Sequence, residues 1–307
     1  MTKYHTNQKV YVKSNNNSHI IISRYTYTLI AFAILSIIIN LIIGNKALVI
    51  SFIKSLLITL IITSITNYII NITKKKYILL DIYTKDNTVA IAIILALFGI
   101  KTNIYILIIA CIISIIIKAF SKNINLSSTL YGILIIMIYN TYILDIETPL
   151  TILKNQTFEE LLAYSGGIIN TLFSIEYLSP ILSIIMFIYL FYKKGIKYNI
   201  VIYYVLVFTL AIFIYSIFNS NISLVYFYLF TTPILFLITY TATDYKCSPT
   251  INETQAIYGS VLGLITAILS IFIHNLSIPL SIIICSLLLT KPLDKLSPKI
   301  KYSNRNN

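Results

Sequence analysis

The amino-acid sequence predicts an all-α, polytopic membrane protein with about ten transmembrane helices in two inverted five-helix halves. Three observations carry this. Long Ile-, Leu- and Tyr-rich runs with almost no charge recur from residue 25 to residue 289. Only 11% of the 307 residues are charged and 58% are hydrophobic, with a mean hydropathy of +0.87; a soluble domain carries about 25% charged residues. The Lys and Arg residues gather in the short connections and at the two ends, as sidedness in a membrane requires.

Taken in order, residues 1–24 are polar and basic and read as a cytoplasmic segment without a cleaved signal peptide. A first span follows at Tyr25–Ile43, a tight turn at Gly44-Asn45-Lys46, and a second span at Ala47–Ile72 containing Lys54. Lys74-Lys75-Lys76 stops the chain. Thr88–Ile100 is apolar but short of the roughly 20 residues that cross the hydrocarbon, so it reads as a broken or tilted helix shielded by its neighbours. Spans at Ile104–Phe120 and from Ser128 to near Leu144 complete the first half, residues 25–143. A stretch at 144–178 holds half of the ten acidic residues (Asp145, Glu147, Glu159, Glu160, Glu176). The second half, residues 179–290, repeats the rhythm at Ser179–Tyr192, Asn199–Phe218, Ser223–Ala242, Ala256–Ile273 and Leu276–Leu289, before a basic tail at 291–307.

With ten spans and both termini cytoplasmic, all but Lys46, Lys54, Lys101 and Lys154 of the 23 Lys and Arg fall on the inner side. The acidic stretch then faces outward, and the location is a bacterial cytoplasmic (inner) membrane. An odd number of spans per half makes the halves inverted, an arrangement common in transporters. The net charge of +13 is thereby explained by topology, and nucleic acid is not an expected partner; membrane lipid is. Cys111, Cys247 and Cys285 have neither metal-ligand nor redox spacing, which excludes an iron–sulfur cluster on this chain. With no glycine-rich phosphate loop and no nucleophile–base pairing, neither NAD binding nor catalysis by this chain alone is expected. No Trp is present, so the interfacial belt falls to the 25 Tyr. Asp244 lies at the inner end of the eighth span. A carboxylate at membrane depth is costly and tends to be functional, which makes Asp244, with Thr243, the candidate for an ion or flavin path.

The most specific segment is Ala242-Thr243-Asp244 followed by Ser248-Pro249, then Tyr258-Gly259 and Gly263 at a helix start. This box resembles the RnfD membrane family and its counterpart in the sodium-pumping quinone reductase, NqrB; chain length favours the Rnf member. Ser18-His19-Ile20, the short apolar Thr88–Leu97, Thr148-Pro149-Leu150 with Leu153-Lys154, and Glu176 ahead of an apolar span match further family motifs in order. The resemblance implies a ten-helix subunit of an ion-translocating electron transport complex, which couples ferredoxin–NAD electron flow to Na+ or H+ movement beside other subunits. It also implies FMN, joined by a phosphoester to a Thr that corresponds here to Thr148, with riboflavin as a second flavin. Where the family carries Ser-Gly-Ala before that Thr, this chain carries Asp145-Ile146-Glu147, and a carboxylate beside the acceptor repels an incoming phosphate. The other reading is a transporter- or channel-like paralogue of the same fold without flavin.

Overall fold

Every regular element of the computed structural model is helical; it describes residues 18–73, 87–120, 127–143, 157–164, 166–244, 247–273 and 276–295. The helices are α1 (Ser18–Ile43), α2 (Lys46–Thr73), α3 (Thr88–Phe98), α4 (Ile104–Phe120), α5 (Ser128–Tyr142), α6 (Phe158–Tyr164) and α7 (Ile168–Phe173). After a 3-10 turn at Ile175–Tyr177 come α8 (Pro180–Tyr192), α9 (Tyr198–Phe218), α10 (Ser223–Thr231), α11 (Ile234–Leu237), α12 (Asn252–Ile273), α13 (Ser277–Leu288) and α14 (Thr290–Lys295).

Among the described residues, four helices are long and apolar enough to cross a membrane: Ile20–Ile43 of α1, α2, α9 and α12. The bent pair α10 with Ile234–Ala242 is long and apolar enough for a fifth if it counts as one span, and α3, α4, α8 and α13 are shorter apolar helices packed among them. The chain is therefore a multi-pass membrane protein. Its perimeter is apolar, as lipid contact demands: α2 turns Ile50, Leu57, Ile61 and Ile65 outward and buries Ser55, Thr59, Thr63 and Asn67. Small and hydroxylated residues on the buried face let helices approach where no water drives them together. Lys54 lies on the exposed face of α2.

Two elements depart from simple spans, and both are at the centre. All of α3 except Val89 and Phe98 is buried, although the helix is only about 16 Å long. The sequence reads Ser223–Ala242 as one continuous span; the structure breaks it, with a bend of 48° between α10 and the segment Ile234–Ala242. Pro233 is the cause. It pushes Thr232 into extended backbone (φ −92°, ψ 148°) and offers no N–H to continue the helix. Beyond it α11 passes into a π turn at Ile238–Ala242, fully buried. Phe236 of α11 meets Phe32 of α1 and Phe98 of α3, with ring centroids 5.0 and 6.2 Å away.

The packing of α1–α5 recurs in α8–α13. α2 packs on α3 and α4 as α9 packs on α10 and α12; α4 packs on α5 as α12 packs on α13; α1 lies on α3 as α8 lies on α11. The halves meet through α1 on α8 and α5 on α13. Several polar contacts between separate elements lie at the two ends of the bundle. At the near end, where α1 begins, Arg24 donates to the Lys193 carbonyl (2.6 Å), and Thr250 N–H to the Asp294 carboxylate (3.1 Å). At the far end Asn45 donates to Asn170 (3.1 Å), Ile175 N–H to Asn40 Oδ1 (3.3 Å), and Lys101 pairs with Glu176.

Candidate functional site

The near end holds a small polar cavity of about 50 Å³ between the two irregular central elements. One wall is the start of α3 with Asn87, Ala90, Ile91 and Ile94, the first residue of this group being the helix N-cap. Ser127, Ser128 and Thr129 bring a second helix start, that of α5, and Lys118 enters from the end of α4. Opposite stand Tyr25 of α1 and Asp244, two residues beyond the π turn. A broken element that begins and another that ends at one spot is the arrangement by which helical membrane proteins expose backbone dipoles and polar side chains to an ion.

Each polar group has a structural reason for its place. Lys118 Nζ and Asn67 Nδ2 both donate to Thr88 Oγ1, at 3.0 and 3.3 Å, so three helices are tied at the cavity floor. Ser127 and Thr129 share a hydroxyl–hydroxyl bond of 2.8 Å. The Asn87 side-chain oxygen is buried without a protein partner and is an acceptor available to an occupant. The Tyr25 hydroxyl donates to the Tyr240 carbonyl within the π turn, and the two rings meet edge to face at 5.3 Å.

Asp244 is fixed from behind. Its carbonyl accepts Cys247 N–H (3.0 Å) and the Ser248 hydroxyl (2.7 Å). Lys197, ahead of α9, reaches under this turn and donates to the Ser248 carbonyl and hydroxyl at 2.8 and 2.9 Å. With 7% of its surface exposed, Lys197 is a buried cation; burial lowers its pKa to about 8, against the opposing pull of Asp244 and Asp294.

Of the residues the sequence points to, the structure brings Asp244 to the cavity wall. Thr243 is buried beside it and donates its hydroxyl to the Thr239 carbonyl (2.7 Å) rather than lining the cavity. Thr148, with residues 144–156 of the acidic stretch, lies outside the described residues, as does His274. Glu176 belongs to the far end with Lys101. Sequence reasoning counts Lys118 and Lys197 as loop charges, places Asn87 in a polar loop and the Ser127–Thr129 group at the opening of the fifth span; nothing in a run such as Lys193-Lys194-Gly195-Ile196-Lys197 marks its last member for burial. Neither is Pro233 singled out, though X-Pro within an apolar run is a legible break.

The cavity decides what can occupy it. Pockets for drug-sized ligands run to roughly 300–1,000 Å³, whereas a water needs on the order of 10–15 Å³. At about 50 Å³ the space between Asn87 and Asp244 is of a size for a few water molecules. The lining combines carboxylate, amide and hydroxyl oxygens with the ammonium of Lys118.

Broken central helices, a packing repeated along the chain and a small charged cavity at one end describe a polytopic helical membrane protein. The chain matches the NQR2, RnfD, RnfE family over residues 6–299 and belongs to it. It is thus a membrane subunit of the family of NQR and Rnf ion-translocating redox complexes. A search of curated proteins finds no match.

Proposed function

We propose that the chain is the RnfD-type member of an Rnf-type complex, a ten-span subunit that carries FMN on Thr148 at one membrane face and lines the ion path at the other. Family membership over residues 6–299 carries this reading, and the cavity at Asp244 supports it from the opposite end of the bundle. The near end, with Arg24, Lys193, Lys194 and Lys197, is the basic and therefore cytoplasmic end; the far end, with Lys101–Glu176, is external. The repeated packing supports two inverted halves, 25–143 and 179–290, with the short helices as half-spans completing the ten. On this topology Thr148 and Asp244 face opposite sides. Bound FMN would supply one- and two-electron chemistry for relay to neighbouring subunits; the chain supplies its anchorage and, separately, the ion site.

One observation favours a second reading. Asp145-Ile146-Glu147 in place of small residues surrounds the acceptor with negative charge, which suits a paralogue that keeps the fold and the ion site but has lost the flavin. Intact-mass analysis of the chain, purified from cells shown to flavinylate other proteins, separates the two. A gain of one FMN mapped to the peptide around Thr148 is the expected result; an unmodified chain without co-purifying flavin establishes the paralogue.

A further inference from the structure

A second, larger space opens on the lipid side of the bundle, between α8 and α9. Its volume is about 620 Å³, within the range of ligand pockets. The break at Pro233 creates it. Early in the chain α3 packs on both α1 and α2; later α11 packs on α8 and the π turn on α9, which leaves a slot between those two helices. Ile184 and Phe187 form one wall and Val201, Leu206 and Leu210 the other, with Leu235 and Thr239 of the broken segment as the floor. The hydroxyls in the lining, those of Ser183, Thr209 and Thr239, donate to the Leu178, Val205 and Leu235 carbonyls at 3.0, 2.6 and 2.7 Å. Each is spent on backbone, so the slot offers an occupant hydrocarbon and no free donor. Along α9 it runs from Val201 to Leu210, about 14 Å at 1.5 Å per residue. That is close to half of the roughly 30 Å hydrocarbon core, the depth of one leaflet. Leu206 and Leu210, about half exposed, leave the slot open sideways to lipid.

A basic turn stands at the near end of this slot. One helical turn beyond Phe187 and Val201, Phe191 and Tyr198 meet edge to face at 4.9 Å, and past them the chain turns through Lys193-Lys194-Gly195. The three N–H groups of that turn donate to the last carbonyls of α8, and Arg24 donates to the Lys193 carbonyl, so its backbone is fixed. Both lysine side chains are exposed, and among the described residues neither pairs with a carboxylate. We propose that the slot is a binding site for an anionic phospholipid: one acyl chain fills the space between α8 and α9, and the phosphate rests on Lys193 and Lys194. Basic residues beside a pocket between membrane helices attract anionic headgroups. Tyr192 and Tyr198 stand beside them, at the headgroup level that tyrosine favours. Seated there, the acyl chain packs on Leu235 and Thr239 and supports the segment that leads to the π turn. The site is independent of the flavin and of the ion path.

The chain contains no Trp, so a single introduced Trp reports its own lipid contacts. Leu206→Trp places one at the slot and Ile214→Trp one on the same helix outside it; the two positions are matched in exposure, at 52% and 54%. Each full chain is reconstituted into liposomes, and quenching by brominated phosphatidylglycerol is compared with quenching by brominated phosphatidylcholine. At the slot the anionic lipid is preferred by about fivefold for each lysine engaged. At Ile214→Trp the two lipids quench alike, and Lys193→Gln combined with Lys194→Gln removes the preference at the slot. Equal quenching at the slot overturns the proposal. So does an equal preference at both positions, which would reflect only the net charge of +13. A preference that survives the paired Gln substitutions overturns it as well. Should Leu206→Trp fail to fold, native mass spectrometry of the wild-type chain in detergent decides. Phosphatidylglycerol then stays bound through delipidation in the wild type and is lost from the chain with both Gln substitutions; equal retention, or none, overturns the proposal.

Discussion

Gly259 and Gly263 set how closely α12 approaches α9, and enlarging them tests the packing on which the second half depends. A Cβ at Gly263 would stand 2.7 Å from the Tyr204 carbonyl oxygen and 3.2 Å from the Phe208 nitrogen; at Gly259 it would stand 2.6 Å from the Ile200 carbonyl oxygen and 3.1 Å from Ile200 Cα. These are backbone atoms, so no side chain can swing aside and the helices themselves must part by several tenths of an ångström. Overpacking of this kind costs about 1–3 kcal/mol per site. Adjacent sites on one interface share the separation, so the double Ala variant is expected to cost less than the sum of the singles. The assay is thermal unfolding of the purified chain in detergent, followed by thiol labelling of Cys285 and Cys247, both fully buried. At about 2–4 °C per kcal/mol, Gly263→Ala lowers the midpoint by roughly 2–12 °C. Leu264→Ala, one residue on and half exposed, changes it by much less and serves as the control. A Gly263→Ala midpoint equal to wild type would refute the close approach.

Three further outcomes rest on named contacts. Thr88→Val removes the acceptor shared by Lys118 and Asn67, costing about 1–3 kcal/mol, chiefly for the buried Asn67 amide, while Thr88→Ser retains most of the stability; chemical unfolding of the two variants checks this. Lys101→Met changes stability by less than about 1 kcal/mol, because its pair with Glu176 is more than a third exposed on the lysine side, and the residual effect shrinks further in high salt. For Lys197, whose pKa burial lowers to about 8 from 10.5, the folded chain binds fewer protons than the unfolded one between those values. Its contribution therefore makes stability rise with pH across that window, and the rise disappears in Lys197→Met; unfolding midpoints between pH 7.5 and 10 show it.

Much of the fold was legible because lipid imposes one rule along the whole chain. Boundaries of the long helices follow the apolar runs: α1 ends at Ile43 before the glycine turn, and α9 ends at Phe218 before Asn219. The short α3 was readable as well, since Thr88–Ile100 is too brief to span alone. The break at Pro233 was readable in principle from X-Pro chemistry, but the π turn after it has no local signature. It arises from tertiary packing, where Tyr25 takes the Tyr240 carbonyl. The site divided the same way. Asp244 stood out as a carboxylate near membrane depth. Lys118, Asn87 and the Ser127–Thr129 group looked like ordinary loop polarity, because only the meeting of α3, α4, α5 and the π turn places them around one cavity. Lys197 was hidden for the opposite reason: a cationic run normally marks solvent, and burial of its last member depends on the turn ahead of α12 folding over it.

The most direct measurement is ion uptake into proteoliposomes holding the whole complex, driven by electron flow, with this chain as wild type or Asp244→Asn. If Asp244 lines the ion path, the variant assembles and still passes electrons, while ions moved per electron fall several-fold. Unaltered uptake per electron in an assembled Asp244→Asn complex would place the path elsewhere.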